Sequence, residues 1–213
     1  MKTHDLAAML AHGVEASDPR TVEKRFALAM ALGLAGAAAL MLPLLGVRSD
    51  LAQALGSGGF WLKLVFPAAL LCAALSVGAR LARPGRNGGR GWWLAVAALA
   101  ALWAGGALVL AHAAPAARVQ LLLGNSWQTC TLLVALLSLP AFCAASWALR
   151  GLAPTRPREA GAAAGLFAGA QGLLVYCLHC PETAVSFWAV WYVLGLAVPT
   201  GLGAALGKAI LRW

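Results

Sequence analysis

Charge is scarce in this chain: aspartate and glutamate together number seven in 213 residues, and all charged residues amount to 11%. A soluble domain carries roughly a quarter charged residues, so a water-soluble globule is excluded as the main body. Motifs for enzyme chemistry are equally scarce. There is no phosphate-cradling glycine loop, no His-Glu-x-x-His pair and no second Cys-x-x-Cys, which removes nucleotide triphosphatases, zinc proteases and self-contained zinc modules. No acidic residue falls in the middle of a long apolar run. A proton- or cation-coupled carrier is expected to hold one there, so a small transporter is only a minor alternative.

Apolar residues are what the chain has, at 62%, with a mean hydropathy of +0.79. A hydrocarbon core of about 30 Å takes roughly 20 apolar residues to cross as a helix, because lipid offers the backbone no hydrogen-bond partners. Six runs of that length can be read: Phe26 to Val47, Phe60 to Leu81, Gly91 to His112, Trp127 to Leu149, Ala160 to Leu178 and Val185 to Gly207. The expected fold is therefore all-α, a polytopic membrane protein with six transmembrane helices. The first run lies too far in, and is too long, for a cleaved signal peptide. Lys63 near one end of the second run is expected to snorkel to the interface. Trp61, Trp92, Trp93, Trp127, Trp188, Trp191 and Trp213 sit near run ends, where indole rings anchor at headgroup level.

Basic residues set the orientation, since loops on the cytoplasmic side retain lysine and arginine. With six crossings, Arg48, Lys63 and Arg118 fall on one side and the other thirteen of the sixteen basic residues on the opposite one. Both termini are expected in the cytoplasm, and the expected location is the bacterial inner membrane. The net charge of +9 then reads as topology and attraction to anionic lipid, with no direct nucleic-acid binding.

Two units follow: a cytoplasmic N-terminal arm, residues 1–24, and a six-helix membrane domain, residues 25–213. In the arm, Leu6, Met9, Leu10 and Val14 form a narrow apolar stripe on a short helix. Such a helix is marginal alone in water and needs something to pack against. Asp18 and Pro19 resemble a cap and a first-turn proline, so the first spanning helix should begin in the cytoplasm. Glycines at four-residue spacing, Gly161, Gly165 and Gly169 on the fifth run and Gly203 and Gly207 on the sixth, suit close helix contacts.

Chemistry concentrates in VYCLHCPET, residues 175–183. Cys72 and Cys143 fall inside apolar runs and are expected to be packing residues. Cys130, Cys177 and Cys180 fall at the outer face. Cys130 and Cys180, on sequence-adjacent helices in an oxidising compartment, suit a disulfide or a shared soft-metal site. Cys177, His179, Glu182 and His112 are candidate auxiliary ligands. No cofactor is required; a transient soft or heavy metal ion at Cys130 and Cys180 is the one considered. A membrane thiol-disulfide oxidoreductase working through Cys177 and Cys180 is the enzymatic alternative, weakened because such enzymes generally need a second reactive pair.

Three stretches, GNSWQTCTLLVALLSLPAFCAASWALRGLAPTRPREAGAAAGLFAGA (124–170), YCLHCPET (176–183) and FWAVWYVLGLAVPTGLGAALG (187–207), resemble the NrsF-type membrane anti-sigma factors, negative regulators of an extracytoplasmic-function sigma factor. The resemblance extends over most of the chain, the polar arm included. It implies a non-enzymatic protein whose arm holds a cytoplasmic sigma factor and releases it on a periplasmic signal, a heavy metal or oxidative stress. It also implies a sensing pair, Cys130 in its SWQTC context and Cys180 in LHCPE. Cys177 is not part of the pattern. Sigma binding would fall to Leu6, Met9 and Leu10, because the arm lacks the His-x-x-x-Cys-x-x-Cys motif of the soluble zinc-binding class.

Overall fold

The computed structural model describes residues 3–4, 20–83 and 85–212, and every regular element among them is helical. Leu6, Met9, Leu10, Val14, Asp18 and Pro19, the expected partner-binding stripe and cap, lie outside the described residues, as does Trp213. In chain order the helices are α1 (Thr21–Leu44), α2 (Leu51–Leu55), α3 (Gly58–Leu81), α4 (Arg90–His112), α5 (Pro115–Leu123), α6 (Trp127–Arg150), α7 (Pro157–Tyr176) and α8. Helix α8 runs over Val185–Ile210 and contains one π-helical turn, Trp188–Tyr192.

Among the described residues, five stretches are long and apolar enough to cross a membrane: Thr21–Leu44, Gly58–Leu81, Arg90–His112, Pro115–Arg150 and Val185–Ile210. At 1.5 Å per residue, a 24-residue helix such as α1 extends about 36 Å, enough for the hydrocarbon layer. The expected fifth run forms α7, which is not among the five. Its sequence is dominated by alanine and glycine rather than leucine, and the reason is its position. It is buried along nearly its whole length and is packed by α8, α6, α3 and α1. A helix surrounded by other helices meets no lipid and can do without large apolar side chains.

The outward surface is the inverse of a soluble protein's. Leu32, Val65, Trp93, Leu108, Leu132 and Leu202 are all exposed, a shell suited to acyl chains. Cys72 and Cys143, expected as small packing residues within apolar runs, face outward; a helix interior position in sequence does not say which face it occupies. Helix α1 starts at Thr21, running through the boundary expected at residues 24 and 25.

Glycine makes the central contacts possible. A Cβ on Gly161 would collide with the Gly203 carbonyl, one on Gly165 with the Pro199 carbonyl, and one on Gly207 with the Pro157 carbonyl. The α7 and α8 backbones therefore touch directly, as small-residue helix pairs do in lipid. On the opposite side of α7, the buried Gln171 side chain occupies the space left by Gly33 of α1. Backbone cannot yield as a flexible side chain can. Gly161→Ala is accordingly expected to destabilise by about 1–3 kcal/mol, the usual range for overpacking. Gly201→Ala, with open space around the added carbon, should hold or slightly raise the unfolding midpoint, since alanine favours helix over glycine; thermal melts of the two purified variants check the contrast.

Candidate functional site

The C-terminal end of α7 tightens after its last full turn. The amides of His179 and Cys180 both donate to the Tyr176 carbonyl, at 3.0 and 2.9 Å, and that of Leu178 donates to Val175 at 3.1 Å. Pro181 supplies no amide donor to carry the coil further. This turn folds Cys177 and Cys180 back toward the bundle, and both are fully buried. Cys130, one turn into α6, is fully buried as well. The start of α6 and the end of α7 are at the same end of the bundle, so the sequence-expected pair does occupy one region.

Tyrosine joins the cysteines. The Tyr176 side chain lies beside both the Cys130 and Cys180 thiols, between the α6 thiol and the loop thiol. The Tyr192 hydroxyl lies near Cys177 and Cys180, although no atom meets full hydrogen-bond geometry with it. The two rings pack edge to face with centroids 6.0 Å apart. Trp188 stacks on Tyr192 at 6.4 Å across the π-helical turn. The chain contains only two tyrosines, and both are here. All five thiols are free in the structure.

Lys63 departs from the expected snorkelling. It is 2% exposed, and its Nζ donates to the carbonyls of Cys180 at 2.6 Å and Glu182 at 3.0 Å. The ammonium also lies 5.6 Å from the Tyr192 ring centre and 6.0 Å from that of Trp188. Carbonyl acceptors and aromatic faces replace part of what the interface would have offered, and the side chain turns inward. Trp188 likewise is buried rather than anchored at a headgroup, with its indole N–H donating to the Glu182 carbonyl at 3.1 Å.

The residues after α1 complete the clasp. Arg48 donates through its side chain to the Cys180 carbonyl at 3.4 Å and through its backbone amide to the Leu178 carbonyl at 3.1 Å. His179 Nδ1 donates to the Gly46 carbonyl at 3.0 Å, which sets the proton on that nitrogen. Arg48 also pairs with Asp50 through two contacts of 2.6 and 2.7 Å. The hydrogen bond from Arg48 holds the Asp50 carboxyl below its ordinary range. A lowered folded value means that this contribution to stability is present at neutral pH and is lost as pH falls through it.

Of the candidate auxiliary ligands, Cys177 and His179 sit in the turn with Cys180. Glu182 is engaged elsewhere: its carboxylate accepts from the Asn125 amide at 2.7 Å and the Ser126 hydroxyl at 3.5 Å. His112 is exposed at the end of α4. No three His, Cys, Asp or Glu among the described residues come together as a metal-holding group. Sequence reasoning missed Tyr176, Tyr192 and Arg48. The rarity of tyrosine and the lone charge in the second apolar run were the available signals.

Residues 10–213 match the family described as NrsF, negative regulator of sigma F. The chain belongs to that family. It is 46% identical over 215 residues to a probable anti-sigma-F factor NrsF of Azospira oryzae, covering all of both chains. It is 40% identical over 221 residues, again over all of both chains, to the anti-sigma-F factor NrsF of Caulobacter vibrioides. No solved structure matches it. Membership agrees with the resemblance carried by the three stretches quoted above.

The carboxylate of Glu182 ties the cysteine-bearing loop to the start of α6. Removing it in Glu182→Ala leaves the Asn125 amide without its charged partner, a loss of about 1.5–3 kcal/mol for such a bond. The loop should open roughly 10- to 100-fold more often. Labelling of Cys130 and Cys180 with N-ethylmaleimide should accelerate accordingly, while the outward-facing Cys72 reacts at its former rate.

Proposed function

We propose that this chain is an inner-membrane anti-sigma factor with six spanning helices and both termini in the cytoplasm. Its arm, through Leu6, Met9 and Leu10, holds an extracytoplasmic-function sigma factor inactive, and a periplasmic signal acting on Cys130 and Cys180 releases it. The full-length similarity to proteins called anti-sigma-F factors supports the regulatory role. The observation that supports the sensing role is the gathering of the buried Cys130 and Cys180 beside Tyr176 at one end of the bundle.

A route from sensor to arm is supported by two bonds. The Arg48 amide and the Gly46 carbonyl, just past the C-terminal end of α1, bond to Leu178 and His179 in the cysteine turn. The other end of α1 leads to the arm. A change at Cys180 therefore pulls on the helix that carries the sigma-binding segment. With a peroxide as oxidant, its O–O bond breaks as a Cys130–Cys180 S–S bond forms, and the two thiol hydrogens leave in water and alcohol. A soft metal ion would instead displace the two thiol protons. Either event switches the protein only by favouring one of two packings over the other.

Pull-downs of the full chain and of residues 25–213 test the arm. A sigma factor is expected with the first alone, and Leu10→Asp should abolish its recovery at unchanged membrane levels. Cys130→Ser and Cys180→Ser should each retain sigma binding and lose induction by peroxide and by heavy metal. Full induction in both variants would overturn the sensing role. Quinone reduction by the purified protein at the expense of a dithiol would favour the oxidoreductase.

A further inference from the structure

Lys63 is the one buried side chain among the described residues that carries charge, and none of the carboxylates among them lies within ion-pair distance of it. Its ammonium has three donors. Two are engaged by the Cys180 and Glu182 carbonyls. These acceptors and the Trp188 and Tyr192 rings are partial charges only, and buried charge is normally matched by a full counter-charge.

Lys63 lines a cavity of about 190 Å³ together with Arg48, Asp50, Gln53, Ser57 and Thr183. Asp50 does not neutralise it, because that carboxylate is held by Arg48 at 2.6 Å. The cavity also abuts the first turn of α3, where Ser57 is the N-cap and Gly59 contributes to the wall. The unmatched amides of a helix start bring positive potential to the same space. The walls thus sum to one positive charge, with the Thr183 hydroxyl and the Gln53 amide among the lining groups.

We propose that this cavity binds a small, singly charged oxyanion, with the Lys63 ammonium as its counter-ion. A water takes about 30 Å³ in the liquid, so the space admits an anion of about four to six heavy atoms. A carboxylate and nitrate share the needed chemistry: one charge and at least two acceptor oxygens. Asp50 stands in the same wall and repels a second negative charge. Because Lys63 also grips the Cys180 carbonyl, an occupied cavity tightens the turn that carries the cysteines. The binding itself does not depend on how those thiols react.

The test titrates the full chain in nanodiscs with sodium acetate and with sodium nitrate, followed by calorimetry and by the thermal unfolding midpoint. Ionic strength is held constant with a bulky sulfonate buffer too large for the cavity. Saturable binding is expected, with sodium sulfate at least tenfold weaker. Saturation by acetate alone assigns the site to carboxylates, and saturation by both assigns it to oxyanions generally. Lys63→Met should abolish binding. Thr183→Phe fills the cavity while leaving the Lys63 carbonyl bonds in place, and it should weaken binding at least tenfold; it carries the test if Lys63→Met does not fold. No saturation by either anion, or unchanged affinity in Thr183→Phe, overturns the proposal.

Discussion

The bundle depends on one helix presenting glycine where its neighbours come closest. Helix α7 presents Gly161 and Gly165 to Gly203 and Pro199 of α8 so closely that a single added carbon would meet backbone. In lipid, apolar burial gives little drive for helix association, and close backbone contact supplies much of it. With α7 buried against α8, α6, α3 and α1, those four take their places around it. Large apolar side chains such as Phe167 and Leu137 fill the space between the helices, and others, such as Leu132 and Trp93, face outward.

The same helix delivers the candidate site. Where α7 ends, the chain coils back on Tyr176 and brings Cys177 and Cys180 into the protein. Burial of a loop carries backbone carbonyls out of water, and these need donors. Lys63, Arg48 and the Trp188 indole meet that requirement at Cys180 and Glu182. The cationic residues of this end are therefore structural partners of the cysteine turn, and they join α1 and α3 to it. A site built in this way is closed to reagents at rest yet mechanically tied to the helix that leads toward the N-terminal arm.

Much of this was legible in the residues and some was not. The apolar runs, the breaks between them and the placement of Cys130 and Cys180 at one end follow from length and from loops, because crossing lipid demands a minimum helix length. The resemblance carried by SWQTC, LHCPE and the glycine-spaced final helices agrees with membership of the NrsF family. Lys63 was misread because a lysine near a helix end ordinarily reaches water, and the sequence does not show that carbonyls 117 and 119 residues away meet it first. Cys72 and Cys143 were misread for a related reason, since depth along a helix says nothing about the face.

By itself, then, the sequence determined the all-helical class, the apolar composition of the long helices, the charge asymmetry of the connecting loops and the family. Only the tertiary structure decided which faces turn inward, because in a membrane bundle both the lipid side and the core side are apolar and periodicity does not separate them. Tyr176 and Tyr192 beside the thiols, the buried Lys63 and the Arg48 link to α1 all belong to that second class. Each is a contact between segments far apart in the chain, set by how closely α7 lets its neighbours approach.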